Sequence, residues 1–199
     1  MIKAIIFDLG GVVAKNDFGA INSSIAHHLH IDEESFKQLL KKYHQEILCG
    51  RISLQDFDII VAKEFNLNKI DSNIWKKEYT RLMPLNKELI KIIVKLKQNY
   101  KVGMISNIYN LSRDAERERE TFGYFDPCVL SCEVGFAKPG KEIFNFTLKE
   151  LNLIANQCIF IDDQDKNCVA ANNLGFKTIL YKNNKQLIED LKKLGIGTF

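Results

Sequence analysis

Apolar residues recur along this chain in two rhythms. Five short runs are almost continuously apolar: IKAIIF (2–7), KVGMI (101–105), CVLS (128–131), CIFI (158–161) and FKTILY (176–181). A strand covered on both faces needs that pattern, so these runs predict buried strands of a parallel sheet. Between the later runs, apolar residues return every three or four positions. Residues 86–100 put Leu89, Ile92, Ile93 and Leu96 on one helical face, with Asn86 placed to cap the first turn. Residues 139–153 open on Pro139, which suits a first helical turn, and residues 166–175 stop at Gly175. Residues 184–195 are amphipathic through Leu187, Ile188, Leu191 and Leu194. Strands alternating with helices predict an α/β domain built on a parallel sheet.

Residues 16–84 break the rhythm. They contain no good strand. Residues 32–50 read as a helix stopped by Gly50, and 53–66 open with Ser53 and Asp56 at capping-box spacing. Residues 72–83 read as a third helix that ends before Pro84. A structureless loop of this length would be unusual, so the expectation is a core domain of 1–15 and 85–199 with a helical cap subdomain, 16–84, inserted after the first strand. Phe57, Trp75 and Tyr79 fall at helix-face positions and are expected in the cap's own core.

Composition narrows the classes of function. Apolar residues make up 46% of 199, enough for a real core, and a net charge of +3 gives no argument for a nucleic-acid partner. The five cysteines, Cys49, Cys128, Cys132, Cys158 and Cys168, are odd in number and contain no CxxC pair, which argues against a disulfide framework or a zinc site. The first apolar run is too short for a signal peptide and stops at Asp8, and no run of 18 apolar residues exists to span a membrane. Together these point to a reducing, cytoplasmic setting without a membrane partner.

The polar residues then gather. Asp8 ends the first strand, Ser106 and Asn107 end the second, and Asp162 and Asp163 end the fourth. In a parallel α/β sheet the C-terminal strand ends share one edge, so three strands deliver these groups to one place. Lys138 lies on the connection after the third strand. Carboxylates held together repel, and a cation relieves the cost; oxygen ligands of this kind suit Mg²⁺, which also takes substrate phosphate. A lysine and a Ser/Asn pair supply charge and donors for phosphate oxygens. A carboxylate at such a centre can act as a nucleophile, so phosphoryl transfer is the natural chemistry.

Four segments in this order, FDLGGVV (7–13), ISN (105–107), Lys138 in FAKPGKEIF (136–144) and FIDDQDKN (160–167), resemble the motifs of the haloacid dehalogenase (HAD) superfamily of hydrolases, in the form with a helical cap between motifs one and two. The resemblance spans essentially the whole chain and implies a Rossmann-like core. It implies Asp8 as nucleophile, with Asp8, the Gly10 carbonyl and Asp163 holding Mg²⁺. It implies that Ser106, with Asn107 beside it, and Lys138 bind the phosphoryl group. Asp162 and Asn167 would orient the metal site, although Asn167 also suits a helix cap. In such caps the loop carrying Arg51 reaches the substrate, so Arg51 either contacts it or is exposed.

Phosphatases of the superfamily that this chain resembles usually carry an aspartate where Gly10 stands, to protonate the leaving group and activate water, although branches with glycine there resemble this sequence too. The Mg²⁺ ligand at that position is a backbone carbonyl, so glycine removes only the proton shuttle. The expected activity is hydrolysis of a small phosphorylated metabolite, using water, a cap residue or a substrate with a good leaving group; sugar 1-phosphates and acyl phosphates fit the last, because their leaving groups need little protonation. The alternatives are a metal-independent 2-haloacid dehalogenase and a catalytically silent binding protein. His27, His28 and His30 lack carboxylates at ligand spacing and are expected to be solvated or to pack in the cap. Residues 113–120, RDAERERE, are expected to form one charged helix face, with Arg113 within reach of a ligand.

Overall fold

The computed structural model describes residues 1–197. In chain order its elements are β1 (Ala4–Phe7), α1 (Phe18–Leu29), α2 (Glu33–Leu48), α3 (Leu54–Glu64), α4 (Asn73–Leu82), α5 (Lys87–Leu96), β2 (Lys101–Ser106), α6 (Asn110–Glu118), β3 (Cys128–Leu130), α7 (Ser131–Val134), α8 (Lys141–Leu151), β4 (Cys158–Asp162), α9 (Asp165–Asn173), β5 (Lys177–Leu180) and α10 (Asn184–Lys193). All the strands pair in parallel, in the order β3-β2-β1-β4-β5. The chain starts in the middle, builds outward to one side and then crosses to the other. The order therefore reverses between β1 and β4, where open α/β sheets place their ligands.

Alternation along each strand divides the core. Ile5, Phe7, Met104, Ile159 and Ile161 face α5 and α10 with Leu89, Ile93, Leu187 and Leu191. Ala4, Ile6, Ile105 and Phe160 face the opposite layer with Ile143, Phe144 and Ala171. Successive strand residues point to opposite faces, and helices cover both, which is why the runs read as continuously apolar.

Helices α1–α4 bury a separate cluster around Ile25, Phe36, Phe57, Val61, Trp75 and Tyr79. The chain leaves and re-enters the sheet domain through two adjacent segments: Lys15 N–H donates to the Pro84 carbonyl at 3.0 Å and Asn86 N–H to the Val13 carbonyl at 2.8 Å. The helical cluster also takes in Leu111 and Ala115 of α6, a helix that follows β2. At the end of α6, Arg119 donates to the carbonyls of Thr80 (2.6 Å) and Met83 (2.7 Å), satisfying the C-terminus of α4.

Several elements depart from the sequence expectation. Helix α1 has little local signal of its own, because Gly19, Asn22, Ser23 and Ser24 are weak helix formers. Asp17 caps it, and burial of Ile21 and Ile25 holds it. The strand expected over 128–131 loses Ser131, which opens α7 and accepts a hydrogen bond from Ile108 N–H at 3.0 Å. Helix α8 begins at Lys141 rather than Pro139, since Gly140 N–H closes a turn onto the Ala137 carbonyl. The charged run 113–120 is not one solvated face. Glu116 is fully buried, accepting from Thr121 Oγ1 (2.6 Å) and Arg119 (2.9 Å).

Candidate active site

Three strand ends and one connection build the site. Asp8 follows β1, with its N–H on the Ile161 carbonyl of β4 at 2.8 Å. Phe7 is in register with both Met104 and Ile161, so the tips of β1, β2 and β4 lie nearly level. Ser106 is the last residue of β2, Asp162 the last of β4, and Asp163 follows.

Lys138 enters between α7 and α8 and is buried. Its Nζ donates to Asp8 Oδ1 (2.6 Å), Asp162 Oδ2 (2.7 Å) and the Ile105 carbonyl (3.0 Å), which uses all three ammonium hydrogens. Asn107 holds the lysine's backbone: its Nδ2 donates to Lys138 O and its Oδ1 accepts from Lys138 N–H, both at 2.8 Å. Sequence reasoning had grouped Asn107 with Ser106 on the phosphate. The structure gives both ends of its carboxamide to Lys138 and leaves one amide hydrogen over. Ser106 is buried, and among the described residues its hydroxyl has no partner within the fold.

Asp162 is fully buried and fully engaged. Besides Lys138 it accepts from Gln164 N–H (2.8 Å) and from Asn167 Nδ2 (3.0 and 3.1 Å). Asn167 lies inside α9, not at its cap position, which Gln164 occupies, so its task is to fix Asp162. Asp163 differs. Its Oδ1 is buried with no hydrogen-bond partner. Gly11 lies against its carboxylate: a Cβ there would sit 2.2 Å from Asp163 Oδ2, and φ of +85° adds a second reason for glycine. Gly10 is unlike Gly11. A Cβ on it would meet nothing nearer than Asn16 Cγ at 4.0 Å, so packing does not exclude an aspartate there.

The electrostatics match this geometry. Burial pushes the Asp8 carboxyl up to about 7; Lys138 opposes the rise and Asp162 adds to it. Burial and the Asp162 charge raise Asp163 as well. For Lys138 burial works downward, but Asp8 and Asp162 outweigh it and its pKa is raised. Oxygens of Asp8, Asp162 and Asp163 lie within 4.8 Å of one another with one lysine among them. Lys138 compensates part of that charge, and the orphaned Asp163 oxygen marks where the remainder is unanswered. A hard divalent cation held by oxygen fits this donor set.

Above the site lies a cleft of about 460 Å³. Asp8, Gly10, Asn107, Lys138 and Asn167 line its floor, and Lys37, Lys41 and His44 of α2 line the facing wall. Lys166 of α9 and Tyr109, just before α6, complete it. His44 Nδ1 and Tyr109 Oη share a 2.6 Å hydrogen bond between the helical unit and the sheet domain. Sequence reasoning missed these wall residues. Lys37, Lys41 and His44 do fall at i, i+4 and i+7, one face of a helix, but that spacing cannot tell a cleft from open solvent.

Arg51 is not brought here. It is exposed beyond α2, and it is not among the residues lining the cleft. The turn before it docks elsewhere: a Cβ on Gly50 would sit 2.0 Å from the Cys132 carbonyl oxygen. Arg113 pairs with Asp114 and Glu133. His27, His28 and His30 are exposed, and the acidic trio is the one group of potential metal ligands among the described residues.

Comparison with known proteins bears on this arrangement. The family model for haloacid dehalogenase-like hydrolases matches residues 2–175. The chain is 27% identical over 207 residues to a D-ribitol-5-phosphate phosphatase of Bacteroides thetaiotaomicron, covering 96% of this chain and 97% of that protein. It is 26% identical over 205 residues to a glyceraldehyde 3-phosphate phosphatase of Pyrococcus abyssi, covering 93% and 83%. Among solved structures, a predicted HAD-like family hydrolase from Porphyromonas gingivalis superposes with a TM-score of 0.85 at 22% identity, covering 99% of each chain. A HAD family enzyme from Bacteroides thetaiotaomicron, in complex with magnesium and inorganic phosphate, gives 0.82 at 21% identity, covering 94% and 99%. At these identities the superpositions speak to the fold.

Proposed function

Because the chain belongs to the haloacid dehalogenase-like hydrolase family, we propose that it is a Mg²⁺-dependent phosphatase of a small phosphorylated metabolite, acting through an aspartyl-phosphate on Asp8. The observation that carries this reading is the unequal treatment of neighbouring acids. Asp162 is saturated by Lys138, Gln164 and Asn167, while Asp163 keeps a buried oxygen with no partner. Asp8, Asp163 and the Gly10 carbonyl would hold the ion, and bound Mg²⁺ would offset charge on the phosphoryl oxygens.

The protein's own groups then have distinct tasks. Asp8 attacks phosphorus with the oxygen that Lys138 leaves free. The ester P–O bond breaks, and the departing oxygen keeps the electron pair and takes a proton from water, since position 10 offers no acid. Water next attacks the phosphorus of the aspartyl-phosphate, the bond to Asp8 breaks, and inorganic phosphate leaves. Lys138 stays between Asp8 and Asp162 throughout, and Ser106 offers its unengaged hydroxyl to a phosphoryl oxygen. Residues 16–84 act as the cap that closes over the cleft and limits bulk water.

Two relatives of near full-length coverage, named for a phosphorylated polyol and a phosphorylated aldehyde, support a small metabolite as substrate. All five cysteines are unpaired, which supports a reducing, cytoplasmic setting, and no described helix is long and apolar enough to cross a membrane. The test is hydrolysis of p-nitrophenyl phosphate with and without Mg²⁺, for wild type and Asp8→Asn. The expected result is turnover that requires Mg²⁺ and disappears in the variant. Equal rates for the two proteins would overturn the assignment, and turnover indifferent to Mg²⁺ would remove the metal from it.

A further inference from the structure

The cleft carries more positive charge than a single phosphoryl group needs. Four lysines and one aspartate line it. Lys138 belongs to the floor and is fully engaged by Asp8, Asp162 and the Ile105 carbonyl. Lys37, on α2, is paired with Glu33 at 2.5 Å. Lys41 and Lys166 form no ion pair with any acid among the described residues. They come from opposite sides of the cleft, Lys41 from α2 and Lys166 from the first turn of α9. Lys166 is close enough to His44 for its charge to help burial lower the imidazole's pKa, so the α9 and α2 sides face each other across one space.

We propose that the substrate carries a second anionic oxygen group, a carboxylate or a further phosphate, at the end remote from the phosphoryl group being hydrolysed, and that Lys41 and Lys166 bind it. This rests on the phosphatase reading and adds the substrate class. Lys37 to His44 extend over about 10 Å of α2, longer than one phosphate, and line the same cleft as Asp8, so the cleft has room for a second group on a ligand seated there. Two lysines without acid partners around one opening form a field that an anion relieves and a neutral polyol does not. Lys41 and Lys166 are exposed and cost little to keep charged, whereas Lys138 needs two carboxylates to stay buried.

The test compares three phosphate esters of equal carbon length: an alditol phosphate, the corresponding aldonate phosphate and the corresponding bisphosphate. Each is assayed with Mg²⁺ on wild type and on the Lys41→Met, Lys166→Met double variant. Charge-assisted contacts predict kcat/KM for at least one ester with an anionic far end to exceed that of the alditol phosphate by about tenfold or more, mainly through KM. The double variant is expected to lose that ratio. Which ester gains tells carboxylate from phosphate. Equal kcat/KM for all three on wild type would overturn the proposal. So would a variant that lowers all three by one factor, the mark of general steering. Calorimetric binding of the same esters to Asp8→Asn needs no turnover. If none is hydrolysed, the p-nitrophenyl phosphate assay decides the phosphatase reading separately, and equal affinities for the three esters would still overturn the assignment of Lys41 and Lys166.

Discussion

The floor of the cleft and its facing wall hold charge in opposite ways. On the floor, Asp8, Asp162 and Lys138 are almost wholly withdrawn from water, and each charge answers another at 2.6–2.7 Å. On the wall, Lys41 is exposed and meets no acid among the described residues. Buried charges are tolerated only when their partners stay in place, so the floor is a rigid unit whose members cannot be changed singly. Exposed charges cost little alone and can be exchanged, which lets a wall change its ligand while the floor keeps its chemistry. On the proposed function, the site would separate what is done to the phosphoryl group from which molecule carries it.

The largest effect should come from breaking the floor. Lys138→Met removes the cation between Asp8 and Asp162 and keeps most of the volume. Loss of one partner in a buried charge cluster predicts destabilisation of about 3–5 kcal/mol. Removal of the charge beside Asp8, the proposed nucleophile, predicts a further loss of roughly 10²–10³-fold in turnover. Lys41→Met should stay within about 0.5 kcal/mol of wild type in stability, as surface changes do. Urea unfolding of both variants, without added metal, measures the contrast. Comparable losses for the two would dissolve the distinction between floor and wall.

That distinction also explains how far the sequence could be read. Asp8, Ser106, Asp162 and Asp163 follow apolar runs, and once those runs form a parallel sheet, topology alone brings their ends to one edge. The destination of Lys138 could be placed there from its connection. What it touches needed the three-dimensional path of residues 131–141, and so did the role of Asn107 in fixing its backbone. The wall is different in kind. Its residues sit on α2, and which way a helix turns its polar face depends on how the whole helical unit packs. Local propensity also misled at α1, where packing of Ile21 and Ile25 overrides weak helix formers, and at Glu116, where Arg119 and Thr121 make burial of a charge tolerable.

An intermediate effect should follow from completing the floor. Gly10→Asp restores a carboxyl where there is room for one, with the nearest atom 4.0 Å from the new Cβ. If a missing proton donor limits turnover, hydrolysis of an alkyl phosphate should rise, by about 10²-fold at the lower bound for general acid–base catalysis. Hydrolysis of p-nitrophenyl phosphate, whose leaving group needs no proton, should change little. The informative quantity is the ratio of the two rates. A ratio unchanged from wild type would mean that proton transfer to the leaving group does not limit this enzyme.

The smallest effect should come from the tie between floor and wall. Tyr109→Phe deletes the hydroxyl that meets His44 Nδ1 at 2.6 Å and keeps the ring, which packs against Phe18 with centroids 6.2 Å apart. Burial pushes the Tyr109 hydroxyl up to about 12, so it is neutral across the physiological range, and burial with Lys166 holds His44 below its ordinary value. The bond is therefore one between neutral groups near neutral pH, and its loss should cost about 0.5–1.5 kcal/mol. Because it joins α2 to the segment after β2, the loss should appear in how well the wall is positioned. KM for the preferred ester should rise by a small factor while kcat on p-nitrophenyl phosphate holds. A fall in kcat with unchanged KM would instead place His44 and Tyr109 with the chemistry of the floor, and the cap would then contribute to the reaction as well as to the choice of substrate.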